Sequence, residues 1–514
     1  MPEGIRFLRQ LAPRRTPPTL KHPAVSTPAH ILTSAPARLS HFVGGAFCES
    51  ASGAWIDDVN PSDEHDVVAL IPEGTPDDVR AAAQAAADAL PRWRALTGPA
   101  RAEHLYKWAD AIAARAEELA QAMAREVGKP IGESRGEVAR CGMILRYYAG
   151  EAVREIGDII PAQAPGALQY SLREPVGVVA LITPWNFPLA IPLWKTAPAL
   201  AFGNTVVLKP AEAASRMAIL LAETAATAGI PAGVFNVLLG AGPIVAPALL
   251  REPAVRAVSF TGSGAVGRIV AGIAVERNIR FQTEMGGKNV VIVLHDADLR
   301  QAAVLTAAGA MRYAGQKCTA TSRVVIDKRV EDAFLGELRR EIEALPLGLV
   351  TESATALGPV ISARSRDSIG RILSDSHAEI VYQGAVPAGD AYARGFYVPP
   401  TVVRGVAADA VLAQQELFGP VLATFTADDL THALALANGT SYGLSASLFT
   451  RDLRSALTYI SHIDAGLVRV NGDTTGVDPH APFGGIKGSS SGSREQGSAA
   501  REFYTEIKTV QVNP

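Results

Sequence analysis

Cys318 sits in Gly315-Gln316-Lys317-Cys318-Thr319, with small and polar residues on both sides and a lysine directly before it. A cation beside a thiol favours the thiolate, the nucleophilic form. Upstream, Glu284 opens a second glycine-cleared string, Glu284-Met285-Gly286-Gly287-Lys288-Asn289. A thiol and a carboxylate on two such strings suggest covalent catalysis assisted by a general base. The bland alternative is a buried structural cysteine, because free cysteine usually packs as a small hydrophobe. A third string, Thr183-Pro184-Trp185-Asn186-Phe187-Pro188, holds Asn186 between two prolines and two aromatic rings. A fixed amide there suits an oxyanion, although asparagine is also common in plain turns.

Gly262-Ser263-Gly264-Ala265-Val266-Gly267 fits the pattern of a phosphate-binding turn between a strand and a helix. Its glycines let backbone N–H groups approach a pyrophosphate at a helix N-terminus. A simple dinucleotide fold then expects an acid about 20 residues further on to bind the ribose. Glu284 stands there and would be claimed twice. Lys209-Pro210-Ala211-Glu212, at the end of an earlier strand, offers another ribose partner.

These strings need elements to hold them. Pro76 to Leu90 and Ala100 to Val127 carry apolar residues near helical spacing. Val176 to Ile182, Asn204 to Pro210, Val234 to Leu239 and Val255 to Phe260 are short, apolar and β-branched, as buried parallel strands are. Helical stretches separate them, which implies βαβ units. The pattern restarts after Asn289. Val290 to Leu294 reads as a strand, Leu299 to Arg312 as a helix and Ser322 to Ile326 as a strand, followed by another α/β unit from about Val330 to Asp473. The polar, glycine-rich tail ends in Thr509-Val510-Gln511-Val512, a run suited to pairing with another segment or subunit.

The chain has 514 residues, 48% apolar and 19% charged, with a formal net charge of -3. That balance is globular and gives no sign of a nucleic-acid partner. Three cysteines without tight spacing exclude a disulfide scaffold, do not suggest a zinc site and fit a reducing cytoplasm. No apolar run reaches the ~18 residues of a membrane span. Residues 1–41 are rich in arginine and proline and hold one acid, Glu3. We read them as a disordered extension or the product of an upstream start codon in preference to an organellar targeting segment, because the prolines break any amphipathic helix.

In their order along residues 42–514, the strings resemble the aldehyde dehydrogenase superfamily. They are completed by Phe260-Thr261-Gly262-Ser263, Glu416-Leu417-Phe418-Gly419-Pro420 and Pro482-Phe483-Gly484-Gly485. One small departure is Met285, where many members have leucine. The resemblance implies an α/β fold: a Rossmann-like NAD(P)-binding domain (42–152 and 174–285), a second α/β catalytic domain (286–485) and a small β oligomerisation element (153–173 and 498–514). It implies Cys318 as nucleophile, Glu284 as base, Asn186 at the oxyanion and Lys195 near the nicotinamide ribose. The cofactor would lie along Ile182, Thr183, Pro184 and Trp185, with Lys209 and Glu212 at the adenosine ribose. Gly262, Ser263 and Gly267 would face the pyrophosphate, and Glu416 with Phe418 the nicotinamide half. A carboxylate at Glu212 repels a 2′-phosphate and favours NAD, while Lys209 beside it leaves NADP open. The expected partners are a small aldehyde and further copies of the chain, as a homodimer or homotetramer.

The details resemble most the α-ketoglutaric semialdehyde (2,5-dioxovalerate) group. Arg312 occupies the position of a carboxylate-binding arginine in that group and in succinic semialdehyde enzymes. The latter often carry a second arginine after the loop asparagine, where this chain has Trp194. Succinic semialdehyde and broad-specificity dehydrogenases are the near alternatives. A cofactor-free esterase using Cys318 and Glu284 is the alternative of another class.

Overall fold

The strand Val178–Thr183 is buried at every position, as its uninterrupted apolar sequence requires of a parallel strand covered on both faces. It lies at the centre of an eight-stranded sheet in a computed structural model that describes residues 36–514. On one side Thr205–Pro210 and then Phe235–Val237 pair with it in parallel. On the other, Val255–Thr261 and Arg280–Glu284 do the same. The strand order therefore reverses between Val178–Thr183 and Val255–Thr261. Such a switch point opens a crevice at the carboxyl ends of the strands, where open α/β sheets bind ligands. The string with Asn186 and the turn at Gly262-Ser263 both leave the sheet at that crevice.

The second sheet has seven strands, in the order Glu379–Gln383, Thr401–Arg404, Val421–Ala427, Arg323–Asp327, Val290–Val293, Ser445–Phe449 and Leu467–Val470. All its pairings are parallel except the first. Each large sheet has an apolar cluster on either face, so both are three-layered. Thr505–Val512, the expected β-run of the tail, pairs antiparallel with Leu168–Pro175, which also takes Ile159–Ile160. The two large α/β sheets and the small β element expected from the sequence are present.

Three local expectations change. The stretch from Ala100 to Val127 is two helices, Gly98–Ala114 and Ala116–Val127, broken at Arg115. A long helix, Ile131–Glu151, follows and was not anticipated. Residues 36–41 were expected in the extension. Instead Ala37–Arg38 pairs with Val67–Pro72, and Leu39 and His41 are buried. Residues 1–35 lie outside the described residues. No helix among the described residues is long and apolar enough to cross a membrane.

Candidate active site

Helix Leu299–Met311 ends in a sharp turn in which Tyr313, Ala314 and Gly315 all have positive φ, at 56°, 50° and 66°. The left-handed region costs roughly 1–2 kcal/mol for each residue with a Cβ. Packing offsets that cost. Tyr313 is wholly buried, with the Lys129 ammonium 4.5 Å from its ring centre. At Gly315 a Cβ would meet the Gly419 carbonyl oxygen at 2.5 Å. The turn presents Cys318, which stays partly accessible. Asn289 Nδ2 donates to the Cys318 and Ala320 carbonyls, both at 2.8 Å, and Thr474 Oγ1 donates to the Thr319 carbonyl at 2.7 Å.

The sequence argument about Lys317 does not survive. Its ammonium turns away to Glu133 Oε2, 2.9 Å distant. Cys318 instead feels burial and the carboxylates Glu416, Glu284 and Glu495, which together push its pKa up. The enclosure and these acids favour the protonated thiol.

Asn186 is buried, and its Nδ2 donates to the Gln316 carbonyl at 3.0 Å, two residues before the cysteine. That bond uses one of two amide hydrogens. Glu284, at the end of its strand, accepts from Ser490 Oγ at 2.5 Å through Oε2. Its Oε1 is buried without a partner among the described residues. Burial and the nearby Glu495 hold its pKa well above the usual carboxylate range, against the pull of Ser490, Lys195 and Arg494.

Lys195 is buried. Its Nζ donates to Ser259 Oγ at 2.7 Å and pairs with Glu495 Oε1, while Trp194 Nε1 donates to Glu495 Oε2 at 2.8 Å. Glu495 and Ser490 were missed in the sequence. Ser490 reaches Glu284 only because Ser490–Ser491 pairs antiparallel with Arg280–Glu284. Glu495 comes beside them through its antiparallel bridge to Phe483.

The residues at the crevice fit a dinucleotide. Ser263 caps the helix Gly264–Glu276 through Val266 N–H, and a Cβ at Gly264 would meet only one side chain, at 3.7 Å. The helix N-terminus is thus open to an anion. The Thr183 and Thr261 hydroxyls, at the ends of the two switch-point strands, are buried without partners among the described residues. Lys209 Nζ lies 3.4 Å from Glu212 Oε1, which also accepts from Gly242 N–H at 2.5 Å, and Glu212 stays accessible to a ribose. Ile182 and Thr183 close the central strand, and Trp185 meets Phe418 edge-on, ring centres 5.6 Å apart. Gly267 is buried against Met285. Glu416 accepts from Gly287 N–H at 3.1 Å, and burial raises its pKa to about 7. Its carboxylate fills the space of a Cβ at Gly286, 1.8 Å from Oε2. Arg312 stands apart, half-exposed, with Glu133 at 3.9 Å.

A nucleotide cradle and a thiol joined through Glu284 and Glu416 define a class: cofactor-dependent oxidoreductases that hold the substrate covalently. The chain belongs to the aldehyde dehydrogenase family, whose family model matches residues 47–510. It is 43% identical to the alpha-ketoglutaric semialdehyde dehydrogenase of Bacillus subtilis over 92% of this chain and 98% of that protein. It is 41% identical to the alpha-ketoglutarate semialdehyde dehydrogenase of Haloferax volcanii, over 91% and 98%. Among solved structures, an NAD-dependent aldehyde dehydrogenase from Sinorhizobium meliloti superposes with a TM-score of 0.89 at 39% identity, covering 93% of this chain and 95% of that one. An NADP-dependent enzyme of E. coli gives 0.89 at 34%, covering 93% and 98%. The protein is therefore an NAD(P)-dependent aldehyde dehydrogenase with a cysteine nucleophile.

Proposed function

We propose that this enzyme oxidises a short, carboxylate-bearing semialdehyde of the α-ketoglutaric semialdehyde type to the free acid, with NAD as the preferred cofactor. Two relatives with that activity in their names, similar over nearly their whole length, support the substrate class. Glu212, accessible at the ribose position, supports NAD. Exposed Ile159, Leu168, Ile507 and Val512 on the small three-stranded sheet support a homo-oligomer. A cytoplasmic enzyme fits its three unpaired cysteines.

In this reading Cys318 Sγ bonds to the aldehyde carbon and its proton passes to Glu284. The second hydrogen of the Asn186 amide and the Cys318 backbone N–H hold the oxyanion. NAD held in the crevice would supply the two-electron acceptor needed to oxidise the adduct to a thioester. Lys209, Glu212, Ser263 and Glu416 are the groups that would hold it. Glu284 first releases the thiol's proton to solvent and then takes a proton from water, whose oxygen attacks the thioester carbon. The C–S bond breaks, the acid leaves and the thiol regains its proton. Splitting oxidation from hydrolysis replaces one hard step with two easier ones.

The carrying observation is Glu284: a buried carboxyl beside the thiol, with one oxygen fixed by Ser490 and the other unpartnered. Water activation by such a base gives a free acid rather than an acyl group for transfer. The test is Glu284→Gln under stopped flow. A burst of NADH near one per site followed by slow turnover is expected. Normal steady turnover would remove the base assignment. A kcat/KM screen of acidic and neutral aldehydes with both cofactors tests the substrate class.

A further inference from the structure

Helix Ile131–Glu151 presents Glu133, Glu137 and Arg140 on one face, at the i, i+4, i+7 spacing that aligns side chains along a helix. That face borders the site. Glu133 holds Lys317, the neighbour of Cys318. Glu137 Oε1 accepts the N–H groups of Leu189 and Ala190, each at 2.9 Å, just after the Asn186 string. Two turns further along the same face, Tyr147 meets the His480 ring, with centres 6.4 Å apart. The loop from Thr474 to His480 therefore runs from the floor of the cysteine, where Thr474 binds the Thr319 carbonyl, across to this helix. Arg140 lies between the two.

Its charge is poorly answered. Arg140 Nε and Nη2 are shielded from solvent and have no hydrogen-bond partner among the described residues. The carboxylates facing it are Glu137 and Asp478, and burial outweighs both in lowering its pKa. Glu137 is already engaged by two backbone amides and by the buried Lys129. A guanidinium left unpaired in such a place is costly, and a carboxylate taken up in fork geometry removes the cost. Arg312, the arginine singled out in the sequence, is half-exposed, and Glu133 beside it is already paired with Lys317.

We infer that Arg140 is the substrate's carboxylate anchor: it binds the acid end of the semialdehyde between helix Ile131–Glu151 and the Thr474–His480 loop, while the aldehyde end reaches Cys318. This rests on the acidic-semialdehyde reading above. Arg140 sets specificity and takes no part in bond making. Trp194 stands where succinic semialdehyde enzymes often carry a second arginine and is turned to Glu495.

The experiment compares kcat/KM for α-ketoglutaric semialdehyde with that for pentanal, a neutral aldehyde of equal chain length. The proteins are wild type, Arg140→Gln, Asp478→Asn and Arg312→Ala. A lost charge-assisted pair lowers the acid-to-neutral ratio roughly ten- to a hundredfold in Arg140→Gln. Asp478→Asn removes a competing negative charge, so KM for the acidic substrate falls severalfold while the KM for pentanal does not. The Asp478 variant keeps the idea falsifiable if Arg140→Gln does not fold. An unchanged ratio in Arg140→Gln, an unchanged KM in Asp478→Asn, or loss of discrimination in Arg312→Ala alone overturns the assignment. If wild type itself prefers pentanal, the acidic-semialdehyde reading fails first.

Discussion

Replacing Ser490 with alanine tests the base without touching it. Ser490 Oγ accepts from Gly485 N–H at 2.6 Å and donates to Glu284 Oε2 at 2.5 Å, so its proton has one destination. The bond stabilises the ionised carboxylate, the form that activates water. A hydrogen bond to a charged group contributes about 1.5–3 kcal/mol. At about 1.4 kcal/mol per pKa unit, its loss raises the Glu284 pKa further by roughly one to two units. The pH profile of deacylation then moves in the alkaline direction. On its acidic limb the ionised fraction, and kcat with it, falls about ten- to a hundredfold, and NADH appears as a burst. At high pH the variant recovers, because enough Glu284 ionises without help. The assay is stopped-flow NADH formation across pH, with the melting temperature followed because the Gly485 amide also loses its acceptor. An acidic limb that stays in place while the rate falls equally at every pH would refute the reasoning. It would assign Ser490 to positioning alone.

Further outcomes follow from the cofactor side. Gly286→Ala puts a methyl 1.8 Å from Glu416 Oε2. The carboxylate must swing away, and KM for NAD rises about tenfold, the scale of one lost hydrogen bond to a charged group; an unchanged KM means that Glu416 does not touch the cofactor. Glu212→Ser removes the charge that repels a 2′-phosphate, so the NADP-to-NAD ratio of kcat/KM rises by about tenfold or more. The same ratio in both proteins would end that account of cofactor choice.

What could be read from the sequence is what local strings encode. The four strands of the first α/β unit were visible because parallel strands buried on both faces are continuously apolar. Cys318, Glu284 and Asn186 stood out because glycine and proline clear and fix the chain around them. Glu495 and Ser490 were invisible for the opposite reason. Ser490 meets Glu284 across 206 residues, through a two-residue strand, and Glu495 comes beside them through a single bridge; no spacing rule reaches that far. Lys317 failed in another way: adjacency along the chain says nothing about where a long side chain points, and Glu133 captured it. Helix Ile131–Glu151 escaped because buried charge, at Glu137 and Glu151, blurs the apolar stripe that marks a helix. Arg140 was missed with it.

The strand Ser490–Ser491 also sets when the enzyme can exist. The thiol, the oxyanion amide and the carboxylate are all translated well before Ser490 and Glu495. Domains fold as units while synthesis proceeds, at roughly 5–20 residues per second. Through that interval the sheet carrying Glu284 lacks its edge strand, and Lys195 lacks the carboxylate it pairs with. A partly made chain therefore holds Glu284 without the Ser490 hydroxyl that favours its ionised form. Hydrolytic turnover thus depends on residues 490–495, which close the edge of the sheet that carries Glu284 and supply the carboxylate paired with Lys195.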